Sequence, residues 1–415
     1  MIPISKPFLD EKEATAARDA VLSGWVTQGP KVREFETAFA DYTGARFTCA
    51  VSNCTVALHM ALLTVGVKPG DVVITVSHSF IATANVVRHC GAEPVFIDID
   101  SETFNMDVNR LEDCLYNDCE IHDGVLFYKH IDSIAVGDSP LGFLKGILGS
   151  SSTRIGRVSA IIAVHQIGMP CDILRIGELA KKFDISLVED AACAIGSSID
   201  NKEKIGKPHG DIACFSFHPR KIITTGEGGM LTTNDHEYDK KFRLLRQHGM
   251  SISDMIRHNA NDVVFEEYLI TGYNYRLTDI QASIGLEQLK KLEYILNERF
   301  KIAEKYKKLL KDNRFIKTLS IPENVSTNWQ SYPIIISEDA PFVQKDFMRH
   351  LLDKGISSRR GIMNAHQEQP FSAQGWHLPV SERIRDNAVL IPFFNGISES
   401  DVEYIGSTIN KYCKC

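Results

Sequence analysis

The sequence predicts an α/β protein: a mainly parallel seven-stranded sheet flanked by helices, followed by a smaller α+β domain. Two observations carry this. Seven short β-rich runs recur before residue 235: Phe47–Val51, Val72–Val76, Pro94–Asp98, Ala160–Val164, Ile185–Glu189, Ile212–Phe217 and Gly229–Thr233. Several are apolar at successive positions, which suits strands buried on both faces. Helical stretches lie between them, such as Thr55–Leu63, Ile81–His89 and Ile176–Phe183. Alternating strands and helices imply parallel pairing beneath covering helices.

The later part of the chain has a different rhythm. Leu277 to about Leu310 reads as a long, interrupted helical stretch, Ser331–Ser337 as a strand and Phe347–Lys354 as a helix. We therefore expect a large domain over residues 1–252 and a smaller one over 253–415. Residues 117–157 break the alternation. They hold many glycines and serines, the run Leu148-Gly149-Ser150-Ser151-Ser152, and two β-like runs, Val125–Tyr128 and Ser133–Val136. An inserted hairpin is expected there.

With 46 basic and 53 acidic residues the formal net charge is −7, which gives no basic excess for binding nucleic acid. No apolar run reaches the ~20 residues of a membrane helix, and the N-terminal Met1-Ile2-Pro3-Ile4-Ser5-Lys6-Pro7 lacks a signal pattern. No membrane association is expected, and a cytoplasmic location is. The ten cysteines form no C-x-x-C pair and no zinc spacing, so no metal is expected.

In open parallel sheets ligands gather at the carboxyl ends of the strands. The polar residues following the runs are Ser52, Ser77, His165, Asp190 and Lys221. Lys221 stands between Ser216 and a glycine-rich turn, Gly226-Glu227-Gly228-Gly229, with the lysine before the glycines, unlike a nucleotide-binding P-loop. A lysine amine so placed can attack a carbonyl, and the aldehyde of pyridoxal phosphate is the obvious one. Asp190 ends its run and, beside a pyridine nitrogen, would keep it protonated; Glu189 should face the other way by strand alternation. At Ser52-Asn53-Cys54-Thr55 a strand gives way to a helix, whose free N–H groups make a phosphate seat. Phe80 is placed where an aromatic can stack on a ring.

Together these segments resemble the DegT/DnrJ/EryC1/StrS sugar aminotransferases, of fold-type-I pyridoxal phosphate architecture. The resemblance runs over nearly the whole chain. It is carried by Ser23–Pro30, Ser52–Leu58, Ser79–Asn85, Pro94–Asp100, Val164–Gly168, Glu189–Ala192, Phe215–Gly229, His248-Gly249 and Gly272–Ala282. It implies that Lys221 forms the Schiff base with pyridoxal phosphate and moves the proton, and that Asp190 pairs with the ring nitrogen. Ser216, Thr55 and the backbone of Cys54 would hold the phosphate, and Phe80 would stack on the ring. Asn274 would reach the phosphate of a partner subunit in a homodimer with shared active sites. It further implies L-glutamate as amino donor, pyridoxamine phosphate as the intermediate cofactor form, and a nucleotide-linked keto-sugar as acceptor, for amino-sugar and surface-polysaccharide synthesis.

The chain departs from the common pattern at two places. Cys54 stands where glycine or alanine is frequent, and Cys193 where glutamine meets the cofactor's phenolic oxygen. On the substrate side the candidates are Trp25, Thr27, His165, Arg359, Arg360 and His366, with the two arginines suited to a diphosphate. Two alternatives stand beside this one: a pyridoxal-dependent sugar dehydratase, whose members carry histidine where Lys221 stands, and a non-catalytic pyridoxal-binding regulator. Retention of Lys221 and Asp190 favours transamination.

Overall fold

The computed structural model describes residues 1–148, 154–200, 203–252, 263 and 265–413. At its centre are β1 (Phe47–Val51), β2 (Val72–Val76), β3 (Glu93–Ile97), β4 (Val158–Val164), β5 (Ser186–Asp190), β6 (Ile212–Ser216) and β7 (Gly229–Thr233). They form one seven-stranded sheet in the order β1-β7-β6-β5-β4-β2-β3. All seven runs read from the sequence are strands. β7 is antiparallel to both its neighbours, and the other adjacent pairs are parallel. The reason lies in the β6–β7 connection, which carries Lys221. It contains no helix to make a crossover. It doubles back instead, with Phe217 N–H donating to the Gly228 carbonyl at 2.9 Å.

β2, β3, β6 and β7 are buried at every position, as continuous apolar runs require. Helix Pro30–Thr43 covers β6 with Phe35 and Phe39, whose rings meet Phe215 and Phe217 at centroid distances of 5.1–5.7 Å. Proline opens that helix, and a carboxylate distant in sequence caps it. Asp279 accepts N–H bonds from Gly29 (2.8 Å), Lys31 (3.0 Å) and Val32 (2.9 Å). This satisfies helix-start donors that have no intrahelical partner. Asp279 itself opens helix Asp279–Lys290, whose capping box is Thr278 with Gln281.

The interruption expected between Leu277 and Leu310 falls at Lys291, between helices Asp279–Lys290 and Leu292–Leu310. Within the inserted region, Cys119–His122 and Val125–Tyr128 pair as a hairpin through a two-residue Asp123-Gly124 turn. The Ser133–Val136 run is not a strand. Ile131–Ile134 forms a helical turn that places Ile131 and Ile134, three apart, against the large core. Gly149 to Ser152 of the serine-rich run lie outside the described residues.

A second sheet, antiparallel throughout, has the order β8-β9-β11-β10, with β8 Ile316–Thr318, β9 Tyr332–Ile336, β10 Arg359–Arg360 and β11 Ala388–Ile391. Its core is separate and includes Tyr306, Tyr332, Phe347 and Ile405. The change of core lies inside helix Leu292–Leu310: Leu292 and Ile295 pack in the large core, Ala303, Tyr306 and Leu310 in the small one. The packing therefore changes hands well beyond the 252/253 boundary expected from sequence. The N-terminus also joins the small side, with Ile2 bridged to Ile356 and Phe393 N–H donating to the Ile4 carbonyl. Among the described residues no helix is long and apolar enough to cross a membrane.

Phe39 is fully buried among three other phenylalanines. Phe39→Ala is expected to cost ~3–5 kcal/mol of stability, read as a lower urea midpoint at unchanged slope.

Candidate active site

The carboxyl ends of β1, β4, β5 and β6 open into a cavity of about 1080 Å³. Asn53, Cys54, Thr55, Phe80, His165, Asp190, Cys193, Ser216 and Lys221 line it on the side of the large sheet. Arg359, Arg360 and Gln330 line it on the side of the small sheet. Sequence positions more than 300 residues apart thus share one chamber.

The register Val164↔Asp190↔Cys214 sets the floor. Asp190 is buried and turned into the cavity, where its Oδ2 accepts from Thr83 Oγ1 at 2.8 Å and its Oδ1 from Ala192 N–H at 3.2 Å. Thr83 is in turn joined to Ser79 Oγ at 2.9 Å. Glu189 faces away, as alternation requires, and takes three donors: His165 Nε2 (3.1 Å), His209 N–H (2.7 Å) and Gly210 N–H (2.9 Å). Burial raises its pKa, but His165 and His209 outweigh this and hold it at about 2.

His165 is buried with both ring nitrogens engaged. Burial disfavours the charged ring, while Cys171 and Glu189 favour it. Yet Nδ1 accepts the Cys171 backbone N–H at 3.1 Å, which a protonated nitrogen does not do. The neutral ring with its proton on Nε2, directed at Glu189, satisfies both contacts. No ring nitrogen of His165, a substrate-side candidate in the sequence, is left for a substrate, so it offers the cavity an aromatic surface.

Lys221 Nζ donates to Cys193 Sγ at 3.0 Å. Burial acts to lower the lysine pKa. The contact with Cys193, with Asp190 nearby, outweighs it, and the net direction is upward. Burial pushes the Cys54 thiol well above its usual range, so it carries no charge near neutrality. The amine is thus held as an ammonium until a partner takes its proton.

Beside this floor, β1 ends and helix Cys54–Thr64 begins. Asn53 caps it by accepting Val56 N–H at 3.0 Å, and Ala57 N–H reaches the Asn53 carbonyl at 3.2 Å. The N–H groups of Cys54 and Thr55, the first two of the helix, have no intrahelical acceptor. Ser216 lies next to them at the end of β6. Gly229 makes the packing possible: it is opposite both Val51 and Ser216, and a Cβ there would lie 2.5 Å from the Asn53 carbonyl and 2.8 Å from Cys54 N. Two amide donors, a hydroxyl and a helix N-terminus form an anion seat.

The far wall carries Arg359 and Arg360, both exposed on β10 and, among the described residues, without an ion pair. Four expected residues do not line this chain's cavity. His366 is buried between Ser77 Oγ (2.6 Å from Nδ1) and Glu382 (3.3 Å from Nε2), so both its nitrogens join protein to protein. Trp25 donates Nε1–H to the Gln28 carbonyl at 3.2 Å, and Thr27 is exposed, its carbonyl accepting Asp279 N–H. Asn274 is exposed and bridged to Gln247.

The sequence reading missed three supporting residues. Thr83 orients Asp190; its signal is a hydroxyl one helical turn after Ser79. Asn328 donates Nδ2–H to the carbonyls of Cys193 (2.7 Å) and Ile195 (2.8 Å), in room left by Gly168, where a Cβ would sit 1.9 Å from Asn328 Oδ1. Gln330 donates Nε2–H to the Arg220 carbonyl at 2.8 Å, pinning the residue before Lys221. Nothing local in the sequence marks these last two.

Comparison with known proteins agrees with this geometry. The DegT/DnrJ/EryC1/StrS aminotransferase family matches residues 7–118 and 152–410, so the hairpin region falls between the matched segments. GDP-perosamine synthase of Caulobacter vibrioides is 33% identical over 99% of this chain and 98% of its own length. The solved structure of Helicobacter pylori PseC, an aminotransferase involved in the biosynthesis of pseudoaminic acid, superposes with a TM-score of 0.83 at 26% identity, covering 100% of this chain and 99% of PseC. A Streptococcus pneumoniae protein, also 26% identical, has been solved in PMP and PLP forms with TM-scores of 0.83 and 0.81, covering 100% of this chain and 99% and 98% of its own.

Two outcomes are expected. Glu189 is held below its ordinary value of 4.5, so the stability it contributes is complete above about pH 4.5 and is lost as the pH falls through about 2. Acid unfolding monitored by circular dichroism should lose that component in Glu189→Gln. In Cys193→Ala, burial then acts on Lys221 with less opposition, so the amine should react with pyridoxal phosphate at lower pH. The pH profile of visible-band formation measures this.

Proposed function

The chain belongs to the DegT/DnrJ/EryC1/StrS aminotransferase family, and from that premise we propose that it moves an amino group from L-glutamate to a nucleotide-linked keto-sugar. As a family member it is a pyridoxal-phosphate-dependent sugar aminotransferase. The observation that supports the finer reading is the division of the cavity, with Lys221 and Asp190 on one side and two unpaired arginines on the other. A GDP-perosamine synthase and PseC among its relatives support a sugar-nucleotide acceptor and a place in polysaccharide synthesis.

The residues present fit pyridoxal phosphate. The Cys54 and Thr55 amides and Ser216 Oγ would receive a phosphate, Phe80 would present a ring face, and Asp190, fixed by Thr83, would meet a ring nitrogen. When bound, the cofactor supplies an aldehyde that links to amines and a ring that takes up electrons. Asp190, buried and held by Thr83, would lie against the ring nitrogen and keep its proton there. Lys221 Nζ would stand beside the reacting carbon of the amino donor and, in the second half-reaction, beside the keto carbon of the sugar, taking a proton from the first and returning one to the second. Arg359 and Arg360 take the acceptor's diphosphate and so place the keto carbon over the lysine. Amino donor and sugar use the cavity in turn, which gives ping-pong kinetics.

The assembly we propose is a homodimer, in a cytoplasmic setting. It is supported by Asn274, exposed outside its own cavity, and by the exposed apolar residues Phe265, Tyr268 and Leu269 just before it. Asn274 then completes the phosphate seat of the other subunit.

Purified protein is expected to show the visible band of lysine-bound cofactor, bleached by L-glutamate and missing in Lys221→Ala. A band that no amino acid bleaches would defeat the aminotransfer reading. Arg359→Ala or Arg360→Ala should raise KM for the sugar nucleotide roughly 10- to 100-fold, the weight of a charged hydrogen bond. Bleaching by glutamate should be unchanged; an unchanged KM removes the arginines from the diphosphate site.

A further inference from the structure

We propose that Cys193 and Lys221 form a covalent modification site, in which peroxide joins Cys193 Sγ to Lys221 Nζ through a sulfur–nitrogen bond and takes the lysine out of use. Three observations carry this. The reacting atoms are already in contact, Nζ to Sγ at 3.0 Å. Both turns are held by one short segment: Asn328 Nδ2 donates to the Cys193 carbonyl at 2.7 Å, and Gln330 Nε2 to the Arg220 carbonyl at 2.8 Å. Gln330 N–H also donates to Asn328 Oδ1 at 2.9 Å, so the two clamps brace each other. Finally, the pair is reachable. Cys193 lines the cavity and is partly exposed, whereas Cys54, the other cysteine on its wall, is buried.

The chemistry balances with hydrogen peroxide as the named oxidant. The sulfur gives two electrons to the peroxide O–O bond, becoming a sulfenic acid with release of one water. Lys221, after losing a proton to solvent, attacks Sγ through its nitrogen lone pair. The S–N bond forms as the S–O bond breaks, and the hydroxide leaves as a second water with a proton from Nζ. One thiol, one amine and one peroxide give one sulfenamide and two waters, and a thiol reductant reverses it. A lysine already linked to pyridoxal phosphate has no free amine to offer, so the bound cofactor protects the site. The inference rests on the placement of the pair and is independent of the sugar.

The test is intact and peptide mass spectrometry of the full chain after peroxide treatment, with cofactor removed by hydroxylamine or with pyridoxal phosphate restored. Without cofactor we expect the peptides bearing Cys193 and Lys221 to be joined, lighter by two hydrogen atoms, and the visible band to fail to return on adding pyridoxal phosphate until dithiothreitol is supplied. Restored cofactor should suppress the joining. Lys221→Arg should leave an unjoined sulfenic acid that dimedone traps, and Asn328→Ala should lower the joined fraction while Cys193 still oxidises. Wild-type protein in which Cys193 goes on to sulfinic acid without joining, or resists peroxide altogether, overturns the proposal.

Discussion

The register between β4, β5 and β6 is the constraint on which the site depends. Side chains on a strand alternate, so a slip of one residue exchanges every side chain between the faces of a sheet. Here Asp190 and Glu189 are chemically alike, and the register assigns them opposite tasks. Asp190 enters the cavity with Thr83 as its main partner. Glu189, one residue earlier, accepts from His165, His209 and Gly210 on the other side and fixes the imidazole that forms part of the wall. The antiparallel return of β7 then brings Gly229 against the start of helix Cys54–Thr64, and with it the anion seat beside Lys221.

The charge balance around Lys221 follows from this packing. A buried ammonium is costly unless paired. Here the opposing groups are Asp190 and the Cys193 thiol, which stands where a glutamine is common in sugar aminotransferases. The thiol gives the amine a soft partner at hydrogen-bond distance. In this chain the lysine's resting state is therefore tied to a residue that also has oxidation chemistry of its own.

Much of this was legible in the sequence. The strands could be read because burial on both faces leaves unbroken apolar runs, and a parallel sheet puts its reactive residues immediately after them. Lys221 and Asp190 were marked by that rule, Ser216 by its place beside Lys221, and Thr55 by the strand-to-helix junction together with the family resemblance. What escaped reading depends on partners remote in sequence. His366 looked available beside the arginines, but Ser77, 289 residues earlier, occupies it. Asn328 serves the carbonyl of Cys193 across 135 residues, and a carbonyl has no sequence signature. The change of core was hidden because the apolar periodicity of Leu292–Leu310 continues through it. The Ser133–Val136 run misled because four residues fit a strand and a helical turn about equally well.

The helix that belongs to both cores has a mechanical meaning. At 19 residues it is about 28 Å long, a stiff beam clamped at each end in a different body. Arg299 stands midway along it, fully inside the protein. It donates to the carbonyls of Trp329 and Gln330 and to Asn395, with burial lowering its pKa to about 9. It fastens the beam to the strap whose Gln330 side chain grips the turn of Lys221. β9, which follows that strap, and β10, which bears Arg359 and Arg360, belong to one sheet, so the arginine wall and the brace on the turn of Lys221 are parts of one body.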